Sequence, residues 1–432
     1  MTRKEKPFLK YALGAAVLAL AFAAAGAAAK KKEESKYYPL TIFSKVLAHI
    51  QAVYVDDVDV DKLIYGAIKG MVGSLDPHSS FLAPDEFMTM QEEMEGSFGG
   101  IGVEVEIRFG RLIVISPLPG TPAEKAGIES GDEILVIDGI PAYAISLQDV
   151  VKVMRGKPGS KVKLKLRRGE DKVYEVEMVR EVIKVDSVEG QVIDADEGTA
   201  LIRIKVFQEG TTAAVRDRLE AYQAACKGNL GGIVIDLRNN PGGLLDQAIY
   251  IADDFLASGI ILTTRRKNGD VLESEKAHKV GTKGGVEIAL LVNEYTASAA
   301  EVLAGALQDN GRAAVVGMKT FGKGSIQNII KLPDGSALKL TTALYATPSG
   351  KIIQASGIEP DLVVPSLPWD PASLTEETFR EEDLAGHLEG DEEEDLESPD
   401  VMKLFKDDVQ LFMAYQVLQG RMKAKASSGK KP

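Results

Sequence analysis

The period of the hydrophobic pattern changes several times along the chain. Phe43, Val46, Leu47 and Ile50 recur at helical spacing, as do Leu63, Ile64, Ala67, Ile68 and Met71. That spacing predicts a mostly helical region over 38–96. Asp76-Pro77-His78 breaks it; His78 follows a proline in a turn, lacks a partner motif and reads as structural. From 97 to 180 the period falls to two. Gly102–Ile107, Arg111–Ile115 and Val162–Leu166 alternate, which predicts short strands around a glycine-rich loop. From 181 to 365 the strands read as apolar runs, at Leu230–Leu237, Glu287–Val292 and Ala313–Gly317. Helical patterns lie between them, at Leu244–Phe255 and Ala299–Gln308, and this alternation implies α/β layers. In the last segment, 366–432, Leu404, Val409, Phe412, Met413 and Val417 suggest a terminal amphipathic helix.

Charge modifies this picture at both ends. The 432 residues carry a formal net charge of −13. Fourteen acids and one base fall between Asp370 and Asp400, so the acidity is local and the rest is close to neutral. A nucleic-acid surface built from bulk charge is excluded, and the acidic run is expected to be partly disordered. At the start, Arg3, Lys4, Lys6 and Lys10 precede an uncharged Ala/Leu/Val-rich stretch, Tyr11–Ala29, ending in Ala27-Ala28-Ala29. Residues 1–29 read as a signal peptide or, if retained, an inner-membrane anchor. Either places the body in the periplasm or cell envelope, because the basic flank stays inside. The one cysteine, Cys226, excludes an internal disulfide framework. The four histidines form no His-Glu-x-x-His, so no metal or other cofactor is expected.

Phe98-Gly99-Gly100-Ile101-Gly102-Val103 reads as a loop entering a strand. Gly131-Asp132-Glu133-Ile134-Leu135-Val136-Ile137-Asp138-Gly139 reads as turn, strand, turn. Together they resemble a PDZ domain over about 80 residues. The physical basis is that backbone N–H groups around the glycines form a nest for a carboxylate, while an extended peptide adds to the neighbouring strand edge.

The candidate chemistry lies between Asn239 and Gln327. Ser298-Ala299-Ala300-Glu301 is a capping-box pattern. A helix N-terminus also offers free N–H groups and positive potential to an oxyanion, so the same position suits a nucleophile. Lys323, after an apolar strand and between Gly322 and Gly324, can lose solvation; a neutral amine there could take a hydroxyl proton. Gln327 shares a face with Lys323 if the segment is extended, and a carboxamide can hold the amine without adding charge. Gly317-x-x-x-x-Gly322-Lys323 approaches a phosphate-binding loop, but Gly324 stands where that loop needs Ser or Thr, and a strand pattern follows. There is no Gly-x-Ser-x-Gly elbow.

Taken together, the motifs resemble those of the carboxyl-terminal processing peptidases, tail-specific Ser–Lys proteases. The resemblance runs from about residue 38 to Val364. It rests on Phe98–Val105, Asp236–Gly243, Asn293–Glu301, Thr320–Gln327, Leu340-Thr341-Thr342, Thr347–Gly350 and Gly357–Asp361. It implies an α/β protease core of ββα-type layers (181–365) with an inserted β-rich PDZ domain (97–180), a helical N-terminal region (38–96) and the acidic tail (366–432). By the same resemblance Ser298 is the nucleophile, Lys323 the general base and Gln327 its orienting residue. The N–H groups of Gly243 and Ala299 form the oxyanion hole, Phe98 to Val103 bind the substrate C-terminus, and Arg155 takes part in gating. The family often has serines where Thr296 and Ala300 stand here. Expected partners are envelope proteins with free apolar C-termini, a helical-repeat lipoprotein adaptor and further copies of the chain in a homo-oligomer. The competing reading is a catalytically silent PDZ scaffold that binds protein C-termini.

Overall fold

Gly232-Ile233-Val234-Ile235-Asp236 carries no exposed residue, the mark of a strand covered on both faces. It is one of the central strands of the larger layer. The structure, a computed structural model, describes residues 38–366 except 170 and 267, together with 405 and 408–428. The leader read at 1–29 and the acidic run lie outside the described residues.

The chain divides into two units, Met1–Leu75 and Asp76–Pro432. The first contains α1 (Tyr38–Val53) and α2 (Val60–Gly73). Asp59 caps α2 by accepting from the Lys62 N–H at 3.1 Å. No residue of α1 is buried, and Tyr38, Leu40, Ile42, Phe43 and Val46 stand exposed on it.

The second unit begins with β1 (Ser80–Leu82) and α3 (Pro84–Glu95). The local pattern predicts helix here, yet residues 80–82 form a strand because they pair with residues 337–339 of a distant strand. A two-stranded ribbon, β2 (Ser97–Gly100) with β9 (Glu181–Lys184), then carries the chain into and out of an inserted β module. That module holds β3 (Val103–Arg108), β4 (Arg111–Pro117), β5 (Glu133–Ile137), β6 (Ile140–Pro141), β7 (Lys161–Arg168) and β8 (Lys172–Val179), with short α4 (Pro122–Lys125) and α5 (Leu147–Met154). The strand order is β3-β4-β5-β7-β8, with β6 beside β5, so β3 is an edge. Ile101, Val114, Ile134, Ile137, Val150, Leu164 and Leu166 form the module's own core.

The larger sheet runs β10 (Val188–Asp194), β11 (Thr199–Ile204), β12 (Gly232–Asp236), β15 (Glu287–Val292), β16 (Ala313–Gly317), β19 (Leu362–Val363). It is parallel apart from β10. Helices α6 (Thr211–Ala225), α7 (Leu245–Phe255) and α8 (Ala299–Asp309) pack with Ile233, Ile235, Ile288 and Leu290 on one face. Helix α9 (Val409–Ser428) covers the other, where Leu411, Ala414, Tyr415 and Leu418 meet Val234, Ala289, Leu291 and Val316. The two faces divide by the period of two that a strand imposes. A second, antiparallel sheet joins β1, β13 (Ile260–Arg265), β14 (Val271–Lys276), β17 (Ser325–Lys331) and β18 (Ala337–Ala346). The architecture is the mixed α/β core with an inserted β-rich module that the sequence implies.

Candidate active site

Three parallel strands end on one side of the larger sheet, and the loops that follow β12, β15 and β16 meet there. In an open parallel sheet this carboxyl edge is where sites form.

The loop after β12 is built by its own amides. Asn240 Nδ2 donates to the Ile204 carbonyl at 2.8 Å, and Asn240 Oδ1 accepts from the Gly242 N–H at 2.8 Å. Asn239 and Asn293 exchange bonds of 2.9 and 2.8 Å, welding this loop to the one after β15. Thr296 Oγ1 donates to the Leu237 carbonyl at 2.8 Å, and the Ala297 N–H to the Asn240 carbonyl at 2.9 Å. Beneath the loop, buried Asp236 accepts from Arg203 and Arg238. Burial pushes its pKa up, but the Arg238 hydrogen bond and the charges of Arg238 and Arg203 outweigh that and hold it below the usual carboxylate range.

Ser298 follows β15 and opens α8. Its φ of 56° and ψ of −119° are unusual for a residue with a Cβ. Such a conformation costs on the order of 1–3 kcal/mol and persists only where its surroundings enforce it. Glu301 is part of that enforcement. Fully buried, its carboxylate accepts from the Ser298 N–H at 2.8 Å, Thr320 Oγ1 at 2.5 Å, the Gly322 N–H at 2.7 Å and the Lys323 N–H at 2.8 Å. One carboxylate thus ties the backbone of Ser298 to that of Lys323. Among the described residues no hydrogen bond joins the Ser298 hydroxyl to the Lys323 amine. Sequence reasoning finds Glu301 as the third helical position of a capping box. Its bonds to Thr320, Gly322 and Lys323 cross between distant segments and leave no local signal.

Gly242 lies against Ser298. A Cβ on Gly242 would stand 2.7 Å from Ser298 Cβ and 3.1 Å from Ala299 N, so only glycine lets the loop approach this closely. Among the described residues neither the Gly243 nor the Ala299 N–H has a protein acceptor; Gly243 is passed over by the Phe207–Gly242 and Leu244–Phe207 bonds on either side.

Lys323 is half-buried just before β17. Loss of solvation lowers its pKa first, and the Lys339 charge lowers it further, against an opposing contribution from Glu301. Gln327 lies on β17 and its Nε2 donates to Ser325 Oγ at 2.9 Å; among the described residues no hydrogen bond joins it to Lys323. Lys323 precedes the strand, and the β17–β18 register shifts between Ile326 and Gln327, so the regular alternation expected through 323–327 does not hold. His78, read as structural, lies within electrostatic reach of Lys323. Burial and the Lys323 charge, in that order, lower its pKa.

In the inserted module, Phe98, Gly100, Ile101, Gly102 and Val103 line a groove of about 210 Å³, closed on its far side by Leu147, Val151 and Met154 of α5. Edge strand β3 flanks it. The Arg155 guanidinium caps one end, 4.3 Å from the Phe98 ring centroid and 3.8 Å from Glu93 Oε1 on α3. Gly99 packs on the Gly156 carbonyl with no room for a Cβ.

Comparison with known proteins decides the family. Residues 198–364 match peptidase family S41, residues 113–168 a PDZ domain, and residues 17–85 the N-terminal domain of the activating protease CtpB. The chain is 41% identical to the carboxy-terminal-processing protease of Bartonella bacilliformis over 397 residues, 90% of each protein. The chain belongs to the carboxy-terminal-processing proteases of family S41. These are serine-type peptidases, and the inserted module of this protease is a PDZ domain. It is also 38% identical to carboxy-terminal processing protease CtpA of Bacillus subtilis over 323 residues, 74% of this chain and 67% of that one. Among solved structures, a photosystem II D1 C-terminal processing protease shares 30% identity, covering 76% of this chain and 94% of its own, with a TM-score of 0.46.

Proposed function

We propose that this protease cleaves exported proteins from their free C-terminal side by a Ser298–Lys323 acyl-enzyme mechanism. The observation that carries the reading is the Glu301 carboxylate holding the Ser298 and Lys323 backbones together, beside two N–H groups without protein acceptors. Ser298 Oγ attacks the scissile carbonyl carbon and passes its proton to the neutral Lys323 Nζ. The developing oxyanion is received by the Gly243 and Ala299 N–H groups at the positive end of α8. Lys323 returns the proton to the departing amine, leaving an acyl-Ser298. The same amine then deprotonates a water that attacks the ester, releasing the product and restoring the hydroxyl. Gln327 orients the amine.

Burial and the neighbouring Lys339 both favour the neutral amine that this step needs. The substrate's terminal carboxylate docks on the backbone around Phe98 to Val103. Its last residues extend along β3, with apolar side chains toward Val151 and Met154. In this reading Arg155 senses an occupied groove and relays it to α3; its contacts with Phe98 and Glu93 support that role. The substrates are proteins of the periplasm or envelope. A helical-repeat lipoprotein adaptor and self-association belong to the same reading. In α1 the unburied apolar side chains are available for such contacts. The apolar face of α9, in contrast, is already taken up by its own sheet.

The test uses an internally quenched peptide ending in a free Ala-Ala carboxylate. Ser298→Ala and Lys323→Ala should each lower kcat by at least about a thousandfold with unchanged thermal unfolding. Amidating the peptide terminus should raise KM. Full cleavage by Lys323→Ala would remove the dyad, and equal KM for acid and amide would remove carboxylate capture. Binding without cleavage by the wild-type enzyme would leave a silent scaffold.

A further inference from the structure

Beyond the dyad, one polar network in the second unit has no part in the mechanism above. It starts at Asp76. Its carboxylate accepts four hydrogen bonds, from the His78 N–H at 2.8 Å, the Ser79 N–H at 2.9 Å, Ser79 Oγ at 2.6 Å and Thr341 Oγ1 at 3.1 Å. The first three fold the Asp76-Pro77-His78-Ser79 turn on itself. The fourth crosses to β18, and Ser79 Oγ accepts from the Thr341 N–H at 3.0 Å in the same crossing. Thr341 is the register partner of Gln327 across β17–β18. The Gln327 Nε2 donates to Ser325 Oγ at 2.9 Å and lies 3.5 Å from Thr341 Oγ1, the outer limit of a hydrogen bond.

The polarity of this chain is fixed from one end. The bond from Ser79 first, and those from the backbone and Thr341 after it, outweigh desolvation and hold the Asp76 pKa down at about 2, so at neutral pH the carboxylate only accepts. The single Thr341 hydroxyl proton is therefore committed to Asp76, and Thr341 Oγ1 faces Gln327 as an acceptor. A carboxamide has a donor end and an acceptor end that are nearly identical in shape, and its neighbours alone decide which points where. With Thr341 Oγ1 and Ser325 Oγ taking the Nε2 end, the Oε1 end is turned away from them, and on the reading that Gln327 orients Lys323 it is the end that would accept from Lys323 Nζ. An acceptor there aims the amine's N–H at Gln327 and its lone pair elsewhere. A flipped carboxamide would oppose a donor to a donor.

We propose that Asp76 and Thr341 are positioning residues for this protease, which set the orientation of the Gln327 carboxamide and through it that of the Lys323 amine. The proposal rests on the reading of Gln327 as the residue that orients Lys323, and the two can fail separately.

A mutant cycle on the full-length enzyme tests it, with the free-carboxylate Ala-Ala peptide as probe and single-turnover rates where turnover is slow. Thr341→Val keeps the shape and removes the hydroxyl. It should lower kcat about tenfold with KM within about twofold, since the interaction is used in the chemical step rather than in binding. Thr341→Ser should recover most of the rate. In a Gln327→Ala background Thr341→Val should have no further effect, because the residue through which it acts is gone. Asp76→Asn, which turns one acceptor into a donor, should show the same dependence on Gln327; it serves if Thr341→Val unfolds. Equal losses in both backgrounds would show a merely structural role and overturn the proposal. So would an unimpaired Thr341→Val beside an impaired Gln327→Ala, which leaves the reading of Gln327 intact. An unimpaired Gln327→Ala would overturn both.

Discussion

At the scale of single residues, Lys323 and Glu301 show how much chemistry one side chain draws from its surroundings. A lysine in water titrates near 10.5, and here loss of solvation followed by the Lys339 charge lowers that value. The amine is the active form, so the rate should rise with pH through the lowered pKa and level off above it. Lys339→Gln removes a like charge. The Lys323 pKa should then move up, and the limb of the kcat profile should shift to higher pH with a lower rate at neutrality; an unmoved limb would show that the two amines do not interact. Glu301 accepts four donors in a buried site. Glu301→Ala should leave them unsatisfied and cost about 3 kcal/mol or more of stability in a denaturant titration. Ser298 and Lys323 stand out in the sequence because they sit in distinctive strings. The bonding of Glu301 does not, since Ser298 and Lys323 are brought together only by the fold.

At the scale of elements, the apolar runs predicted most directly. Glu287–Val292 and Ala313–Gly317 are strands with the predicted ends, and Ala299–Gln308 is helical with one further residue. These segments are almost wholly buried, so their apolar composition marks them as core elements. Ser80–Leu82 was illegible as a strand because its partner lies more than 250 residues away in β18, and no local periodicity encodes such a pairing. Loops carry the strictest demands. Gly324 leaves no space, since a Cβ there would fall 2.2 Å from Gln354 N. Gly242 has the same problem against Ser298, with a φ of 102° in addition. Gly242→Ala should displace the loop after β12, which is proposed to receive the oxyanion, and lower kcat by about a hundredfold or more, while thermal unfolding changes little by comparison. A fully active Gly242→Ala would show that the loop tolerates displacement from Ser298.

At the scale of the molecule, the C-terminal helix is integral to the protease core. Asp408 grips Arg238 through two bonds of 2.8 and 2.7 Å, and Arg238 in turn holds Asp236 under the loop after β12. The sequence suggested a helix in this segment but gave no sign of its docking partner, because amphipathicity names a face and not its neighbour. Asp408→Ala should lower the midpoint of thermal unfolding by about 1–2 °C, the shift that roughly 1 kcal/mol makes in a chain of this size. An unchanged midpoint would mean that Asp236 and Gln410 satisfy Arg238 without it.

The central proposed step is the transfer of the Ser298 hydroxyl proton to a neutral amine at Lys323. The pH dependence of Ser298 acylation, followed in single turnover with the Ala-Ala peptide, tests this most directly. It should rise through one ionisation below the ordinary lysine value, and that rise should vanish with the rate itself in Lys323→Ala. Acylation that is independent of pH, or that survives Lys323→Ala with the same profile, would contradict it.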